Sequence, residues 1–245
     1  MKTELVVECR GLTKNFSGVK ALDCVDLQLG RGKIIGLLGP NGSGKTTLIK
    51  ILNGLLEPTF GEVLIDGEHP GVHTKSVISY LPDKTYFADW MKVNDIFDMF
   101  SDFYKDFDRE KAEMMCASMG IGLKDRLKTM SKGTKEKVQL ILVMSRRAQL
   151  YLLDEPIAGV DPAARDYILT TIINNYNEEG TVVISTHLIS DIERILDEVV
   201  FIKNGVIVRH EAVDDIKEKE GRSIDDVFKD TFRMVPFMGV SGYDR

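Results

Sequence analysis

The sequence predicts an α/β fold, in which a β-sheet carries a phosphate-binding loop and a helical segment is inserted between two strands. Two observations predict this fold. Apolar, strand-like runs alternate with helix-like segments along most of the 245 residues. Residues 39–46, Gly-Pro-Asn-Gly-Ser-Gly-Lys-Thr, fit the pattern G-x-x-x-x-G-K-[ST] without a mismatch, between an apolar run at 34–38 and a helix-like start at 47–52. The chain therefore places a polyphosphate-binding turn between a buried strand and a helix.

The remaining elements can be read in order along the chain. Strands are predicted where the sequence alternates or runs apolar, at residues 4–9, 25–38, 62–67, 150–153, 181–185 and 198–202, with a turn at 30–32. Helices are predicted at residues 93–128, with a break at 120–122, and at 162–177 and 188–197. The first of these belongs to a helical insert of about residues 85–145. After Arg209 the chain is charged, and its last residues carry no pattern that predicts an element.

Aromatic residues are concentrated at the start of the helical insert. Eight of the nineteen aromatic residues lie between Tyr86 and Phe107. Aromatic residues at 97, 100, 103 or 104, and 107 recur at helical spacing and predict the core of the insert. Tyr86, Phe87 and Trp90 fall outside that spacing, so we expect them to be exposed in a loop and to form a groove for a partner helix. The alternative is that they cap the helical lobe.

Composition limits the classes of protein to which the chain can belong. A hydrophobic fraction of 43% supports a sizeable core, and no apolar run approaches the roughly 18 residues of a membrane span. The N-terminus lacks a signal-peptide pattern, and the three cysteines show no metal-ligand spacing, so a reducing cytoplasm is expected. The net charge of −6 disfavours nucleic acid as a partner.

The phosphate loop, residues 39–46, predicts the main nucleotide contacts. Its glycines let successive N–H groups point into one concavity, and the following helix N-terminus adds positive potential. Lys45 is expected to reach the terminal phosphates, and the Thr46 hydroxyl to bind Mg²⁺. The residues expected to bind the nucleotide here are Gly39, Pro40, Asn41, Gly42, Ser43, Gly44, Lys45, Thr46 and Thr47.

Two acids end the strand predicted at 150–153. Ligands of a parallel sheet sit at the carboxyl ends of its strands, so Asp154 is expected to help to hold Mg²⁺, directly or through water. Glu155 is then placed to act as general base toward an attacking water. The alternative is a strand-end turn with two solvated acids.

With these residues the chain resembles the ATP-binding subunits of ATP-binding cassette (ABC) transporters, over about residues 4–210. The resemblance implies a P-loop NTPase of ABC type, with a mixed-sheet core lobe and an inserted helical subdomain. It also implies that Phe16 stacks on adenine and that His187, after a predicted strand, contacts the γ-phosphate. In the family, segments similar to that of Ser131 and Gly133 bind the γ-phosphate held by a second subunit, and a loop like that of Asp161 crosses the dimer interface. Without the resemblance, Phe16 would be explained as a core residue and His187 as a structural histidine. The segment of Ser131 and Gly133 would be a solvated basic face, and Asp161 would begin an ordinary helix.

Four positions depart from the family pattern: Met130, Lys132 and Thr134 in the segment around Ser131, and Asp83. Lys132 stands where the family has glycine, and Asp83 stands where it usually has glutamine. A carboxylate at Asp83 can still bind Mg²⁺ or its water, but it adds a charge beside ATP. The metal ligands implied are Thr46, Asp83 and Asp154.

The resemblance implies the function of an ATP-binding and ATP-hydrolysing subunit that powers transport by separate membrane subunits, closest to bacterial exporters. Its cofactors would be ATP and Mg²⁺, and its partners a second ABC subunit, identical or not, and a polytopic membrane permease. The subunit would be cytoplasmic, peripheral on the inner face of the cell membrane. Residues 1–230 would form one ABC ATPase domain, followed by a tail at 231–245 of unknown role. The alternatives are a soluble ABC ATPase that acts on ribosomes or DNA, and a non-hydrolysing regulator, which Glu155 argues against.

Overall fold

A computed structural model describes residues 4–233 of the chain. Most of the tail proposed for 231–245 therefore lies outside the described residues. The strands are β1 (Leu5–Phe16), β2 (Val19–Gly30), β3 (Ile34–Leu38), β4 (Phe60–Ile65), β5 (Ile78–Leu81), β6 (Leu150–Asp154), β7 (Thr181–Thr186), β8 (Glu198–Lys203) and β9 (Val206–Ala212). The helices are α1 (Lys45–Leu52), α2 (Val72–Val77), α3 (Val93–Phe103), α4 (Arg109–Ser118), α5 (Lys132–Met144), α6 (Pro162–Asn175), α7 (Ile189–Ile192), α8 (Val213–Glu220) and α9 (Ile224–Phe232).

A six-stranded sheet in the order β5-β6-β7-β3-β8-β9 forms the centre of the molecule. Its first five strands are parallel and β9 is antiparallel, so the mixed sheet is confirmed. Strands β3, β6 and β7 are buried along their whole length. Because the parallel strands share a direction, the residues that follow β3, β5, β6 and β7 meet at one edge of the sheet.

A second, three-stranded antiparallel sheet in the order β2-β1-β4 lies on one side of the central sheet. Helix α1 packs between the two sheets, where Leu48, Ile49 and Ile51 are buried in a core shared with both. The other face of the central sheet packs on the helices of the insert and of the C-terminal half. The phosphate loop and α1 are therefore held from two sides.

The insert is helical, as predicted, but its helices are shorter than the sequence suggested. The continuous helix expected from residue 93 is broken at 104–108, where Asp108 accepts a hydrogen bond from the Lys111 N–H (3.0 Å) and begins α4. Between α4 and α5 the chain is irregular apart from one 3-10 turn, Leu127–Thr129. The helix predicted at 188–197 is one α-turn, α7, followed by the 3-10 turn Glu193–Ile195.

The charged segment after Arg209 is also more ordered than expected. It completes β9 and forms α8 and α9. Phe228 and Phe232 of α9 pack on Phe201 of β8, with ring centroids 5.6 and 6.0 Å away. The sequence did not indicate these helices because the contact joins residues about thirty positions apart. Among residues 4–233, no helix is both long and apolar enough to cross a membrane.

Arg146, just after α5, joins the insert to the sheet. Its side chain is 2% exposed, and its Nε and Nη2 atoms each donate to the Asp106 carboxylate at 3.0 Å. It also donates to the backbone carbonyls of Ser76 and Ile78. The guanidinium lies 3.8 Å from the ring centroid of Tyr104. A rigid bidentate fork of this kind fixes the C-terminal end of α5, while the N-terminal end extends toward the nucleotide edge of the sheet.

Candidate nucleotide site

The phosphate loop connects β3 to α1, and two of its glycines leave no room for a side chain. A Cβ at Gly39 would lie 2.4 Å from the Ile202 carbonyl oxygen, and one at Gly44 would lie 2.5 Å from that of Ala21. Gly44 also has φ +111°, a conformation that favours glycine. The loop therefore needs glycine at both positions to pack against β2 and β8.

Lys45 is folded back onto the loop that it ends. Its side chain is 6% exposed, and its Nζ donates to the carbonyls of Gly39 (2.7 Å) and Pro40 (3.2 Å). The same ammonium lies 3.4 Å from Oε1 of Glu155. A positive charge is thus held over the loop by neutral carbonyls and one carboxylate, which a polyphosphate can replace as its partner.

Asp154, at the end of β6, is fully buried. Its Oδ1 accepts hydrogen bonds from Ser185 Oγ (2.6 Å) and Thr46 Oγ1 (3.1 Å), whereas its Oδ2 meets no donor among the described residues. Burial raises the pKa of Asp154, the two hydrogen bonds lower it, and the charges of Asp83 and Glu155 raise it further. The open oxygen is a buried acceptor without a donor, which a cation would satisfy.

Glu155 follows Asp154 in a left-handed conformation, with φ +52°. Its N–H donates to the backbone oxygen (3.1 Å) and to Oγ (3.0 Å) of Ser185, which fixes this turn. Its carboxylate lies 3.1 and 3.3 Å from Nδ1 of His187 and 3.4 Å from Nζ of Lys45. A non-glycine residue in this conformation costs about 1–3 kcal/mol, so the fold holds the Glu155 carboxylate between two basic groups despite that cost.

Two adjoining cavities lie over these groups. One, of about 300 Å³, covers the phosphate loop, and the other, of about 400 Å³, extends from it past His187 to α5. Both are lined by Asn41, Asp83 and Glu155. The structure thus brings together the predicted loop residues, Asp83, Glu155 and His187 at the carboxyl edge of the sheet, with Asp154 bonded beneath them.

The residues present fit both ATP and Mg²⁺. Of five buried side-chain atoms without a hydrogen-bond partner in the described part of the chain, three lie at this site: Ser43 Oγ, Asp154 Oδ2 and Gln139 Nε2. Within residues 4–233 no three His, Cys, Asp or Glu side chains form a metal-binding group. A hydroxyl and one or two carboxylates are nevertheless the oxygen ligands with which Mg²⁺ is bound beside substrate phosphates.

Six predicted nucleotide-binding residues do not line this cleft in the single chain: Gly39 and Pro40, at the start of the loop, and Phe16, Ser131, Gly133 and Asp161. Phe16 is 45% exposed at the end of β1, with the Lys14 ammonium 5.2 Å from its ring centroid. Ser131 accepts from the Thr134 N–H (3.1 Å) and begins α5, and Asp161 begins α6 in the same way. A Cβ at Gly133 would meet nothing within 4 Å.

Two residues of the site were missed in the sequence. Ser185 binds both Asp154 and Glu155, and only the β6–β7 register, which pairs Asp154 with Ser185, shows why. Gln139 of α5 lines the larger cavity although it is 98% buried. The position of Ser185 near the end of an apolar strand was the only signal available for it.

Comparisons with known proteins agree with this geometry. The sequence pattern of the ABC transporter family matches residues 22–158, more than half of the chain. The chain is 34% identical over 229 residues to the uncharacterized ABC transporter ATP-binding protein MJ1023 of Methanocaldococcus jannaschii, covering 89% of this chain and 81% of that protein. It is 31% identical over 219 residues to the ABC transporter ATP-binding protein YtrB of Bacillus subtilis, covering 87% and 74%.

Solved structures share the fold. An ATP-binding subunit of an ABC transporter superposes with a TM-score of 0.81 at 24% identity, over 92% of this chain and 98% of that one. A dimeric ATP-binding cassette, MJ0796, bound to ADP and Pi superposes with a TM-score of 0.74 at 22% identity, over 84% and 98%. CbiO1 of Clostridium perfringens, part of the ABC transporter complex CbiONQ, has a TM-score of 0.72 at 25% identity, over 95% and 96%.

The raised pKa of Asp154 predicts a stability effect in the nucleotide-free protein. Because the pKa is higher in the folded than in the unfolded chain, the ionised carboxylate destabilises the fold at neutral pH, and this penalty disappears as pH falls through the folded pKa. Asp154→Asn keeps an oxygen for Thr46 and Ser185 and removes the charge. Removing a buried, unsatisfied acceptor is expected to stabilise the fold by about 1–3 kcal/mol. At about 2–4 °C per kcal/mol, the Tm at pH 7 should rise by several degrees.

Calorimetry without nucleotide at pH 7 and pH 5 measures this effect, and the gain in Tm should shrink at the lower pH. Asp108→Asn, at the helix start of α4, is the control and should change the Tm little, because asparagine begins helices as well as aspartate does. A lower Tm for Asp154→Asn than for the wild type at pH 7 would show that the ionised Asp154 carboxylate does not destabilise the fold.

Proposed function

The chain belongs to the ABC transporter family as an ATP-binding ATPase subunit, and we propose that it hydrolyses ATP at the edge of its central sheet with Glu155 as the base. One observation carries the assignment. The Glu155 carboxylate is held at the end of the phosphate loop between Lys45 and His187, at 3.4 and 3.1 Å. A general base needs this position beside the terminal phosphate.

The phosphate loop would bind the triphosphate through its backbone N–H groups and the α1 N-terminus. Lys45 would leave the Gly39 and Pro40 carbonyls and pair with the terminal phosphates, which frees Glu155 from its ammonium. Thr46, Asp83 and Asp154 would hold Mg²⁺, which when bound neutralises charge on the β- and γ-phosphates. The open Asp154 Oδ2 supports this assignment.

Glu155 would take a proton from the water that attacks the γ-phosphorus. As the new P–O bond forms, the bond to ADP breaks, and ADP leaves with the electron pair. His187 would orient Glu155 through Nδ1 and contact the γ-phosphate. The backbone hydrogen bonds from Glu155 to Ser185 support this role, because they hold the carboxylate in place before substrate binds.

Residues that lie away from the cleft would act on a second copy or a related subunit. Ser131 and Gly133 stand at the N-terminus of α5, and Asp161 at that of α6, so each presents a helix start to the outside of the chain. We assign Ser131 and Gly133 to the γ-phosphate bound by the second subunit, and Asp161 to the contact between the subunits. Phe16, exposed at the rim of β1, would stack on adenine.

The membrane partner would dock on the loop between β5 and α3, which places the subunit on the cytoplasmic face of the membrane. Trp90 and Tyr86 are 69% and 56% exposed there. Phe87, which we expected to be exposed, is half-buried instead, with its ring 6.1 Å from that of Phe100. It anchors the loop to the core of the insert. The two exposed rings would bind a short helix of a polytopic permease, since aromatic residues are enriched at interface hot spots.

The first experiment tests the roles in hydrolysis. Glu155→Gln should slow ATP turnover by at least about 10²-fold, the scale of a lost general base, with ATP affinity unchanged within several-fold. Lys45→Ala should instead weaken ATP binding, which titration calorimetry measures. Glu179→Gln, an exposed acid outside the cleft, is the control and should keep wild-type turnover. A wild-type rate of ATP turnover in Glu155→Gln would refute the assignment of Glu155 as the general base.

The second experiment tests the docking loop. Trp90→Ala should abolish co-purification with the permease subunit while the far-ultraviolet spectrum and Tm stay unchanged, because the side chain is mostly in solvent. Phe103→Ala, 77% exposed at the end of α3, is the matched control and should still co-purify. Retained co-purification of Trp90→Ala, or a fall in its Tm, counts against this surface.

A further inference from the structure

Gln139 carries a buried amide without a partner. Its side chain is part of the buried face of α5 and is 2% exposed, yet its Nε2 meets no acceptor among the described residues. An unpaired buried polar group destabilises a fold, and such groups in native proteins call for an explanation. Leucine or methionine would fill this helix position without that penalty.

The position of α5 brings this amide beside the nucleotide cleft. Helix α5 packs on β5, where Ser79 Oγ donates to the Val143 carbonyl at 2.9 Å. Gln139 lies four residues before Val143, which is about 6 Å along the helix axis. Leu81 lies two residues after Ser79, which is about 6.6 Å along the strand. Gln139 is therefore level with Leu81, two residues before Asp83. All three of Gln139, Leu81 and Asp83 line the same cavity of about 400 Å³.

This cavity holds an excess of negative charge. Asp83, Glu136 and Glu155 line it, against Lys132 and a histidine. Asp83 makes no hydrogen bond or ion pair with any described residue, and it is exposed to the cleft. A bound polyphosphate brings further negative charge, so the Asp83 oxygen that Mg²⁺ would not take is favoured by a hydrogen-bond donor when ATP binds.

We propose that Gln139 is a positioning residue for ATP hydrolysis, whose Nε2 donates a hydrogen bond to the Asp83 carboxylate when the α5 wall of the cleft closes on bound ATP. The bond would hold Asp83 in the orientation in which it serves the Mg-ATP site. In the nucleotide-free chain the donor is buried and unpaired, so the bond gained favours closure. The inference rests on the function proposed above.

A double-mutant cycle tests the pairing. Gln139→Met keeps the length of the side chain and removes the amide, and it is made in the wild-type and Asp83→Ala backgrounds. We expect kcat to fall at least about tenfold in the wild-type background, the scale of a lost hydrogen bond to a charged group, with KM changed little. In the Asp83→Ala background, Gln139→Met should cause no further loss.

Thermal unfolding supplies a readout that does not depend on turnover. Without nucleotide, the Tm of Gln139→Met should equal or exceed that of the wild type, because an unpaired amide is removed. The rise in Tm on addition of Mg-ATP should be smaller than in the wild type. Gln139→Glu is the second variant, since it keeps the shape and places a carboxylate opposite Asp83. It should lose more activity than Gln139→Met, and Asp83→Ala should restore part of the loss.

Ser145→Ala, a buried polar residue at the other end of α5, is the control and should leave kcat unchanged. Equal losses from Gln139→Met with and without Asp83 would overturn the pairing and point to another acceptor, such as Glu155. A lower nucleotide-free Tm, with activity lost in proportion, would show a packing role and also overturn it. A wild-type protein that does not hydrolyse Mg-ATP would refute the proposed function itself.

Discussion

The hydrogen bonds to the buried carboxylate of Asp154 are the interaction on which the rest of the site depends. Oδ1 binds Thr46 from the first turn of α1 and Ser185 from β7, so one oxygen joins three neighbouring elements. The same Ser185 fixes the backbone of Glu155 in its left-handed turn. The second oxygen stays unpaired. The site is thus organised around a buried carboxylate with hydrogen bonds to only one of its two oxygens. This arrangement is expected where a cation binds the other oxygen.

The two ends of α5 have separate tasks in this account. Arg146, next to its C-terminal end, is bound to Asp106 and to the backbone around β5, so that end is fixed to the sheet. The N-terminal end reaches the cleft, where Lys132 is 85% exposed and lies 3.7 Å from Glu136. Gln139 lies between the two ends of the helix, and its Nε2 has no hydrogen-bond acceptor among the described residues. The N-terminal end of α5 presents Ser131 and Gly133 away from the site of its own chain.

The sequence predicts some residues of the fold and of the candidate site better than others. The phosphate loop was predictable because its function lies in the backbone, and the clashes at Gly39 and Gly44 show that the sequence pattern encodes this backbone. Asp154 and Glu155 were predictable because an apolar strand that ends in acids places them at the ligand edge of a parallel sheet. The roles of Ser185 and Gln139 were not predictable, since they depend on strand register and helix packing over long separations. Helix α9 was missed for the same reason, because its contacts with Phe201 join residues far apart in the sequence.

A single chain, in this account, carries half of a hydrolytic site. Its own cleft contains the loop, the proposed base and the proposed metal ligands, while Ser131, Gly133 and Asp161 point elsewhere. Sedimentation velocity of the Glu155→Gln protein, with and without Mg-ATP, tests this claim most directly, because that variant binds ATP without consuming it. We expect a monomer without nucleotide and a dimer with Mg-ATP, which returns to monomer when Ser131 is replaced by arginine. A monomer at every protein concentration in saturating Mg-ATP would contradict it.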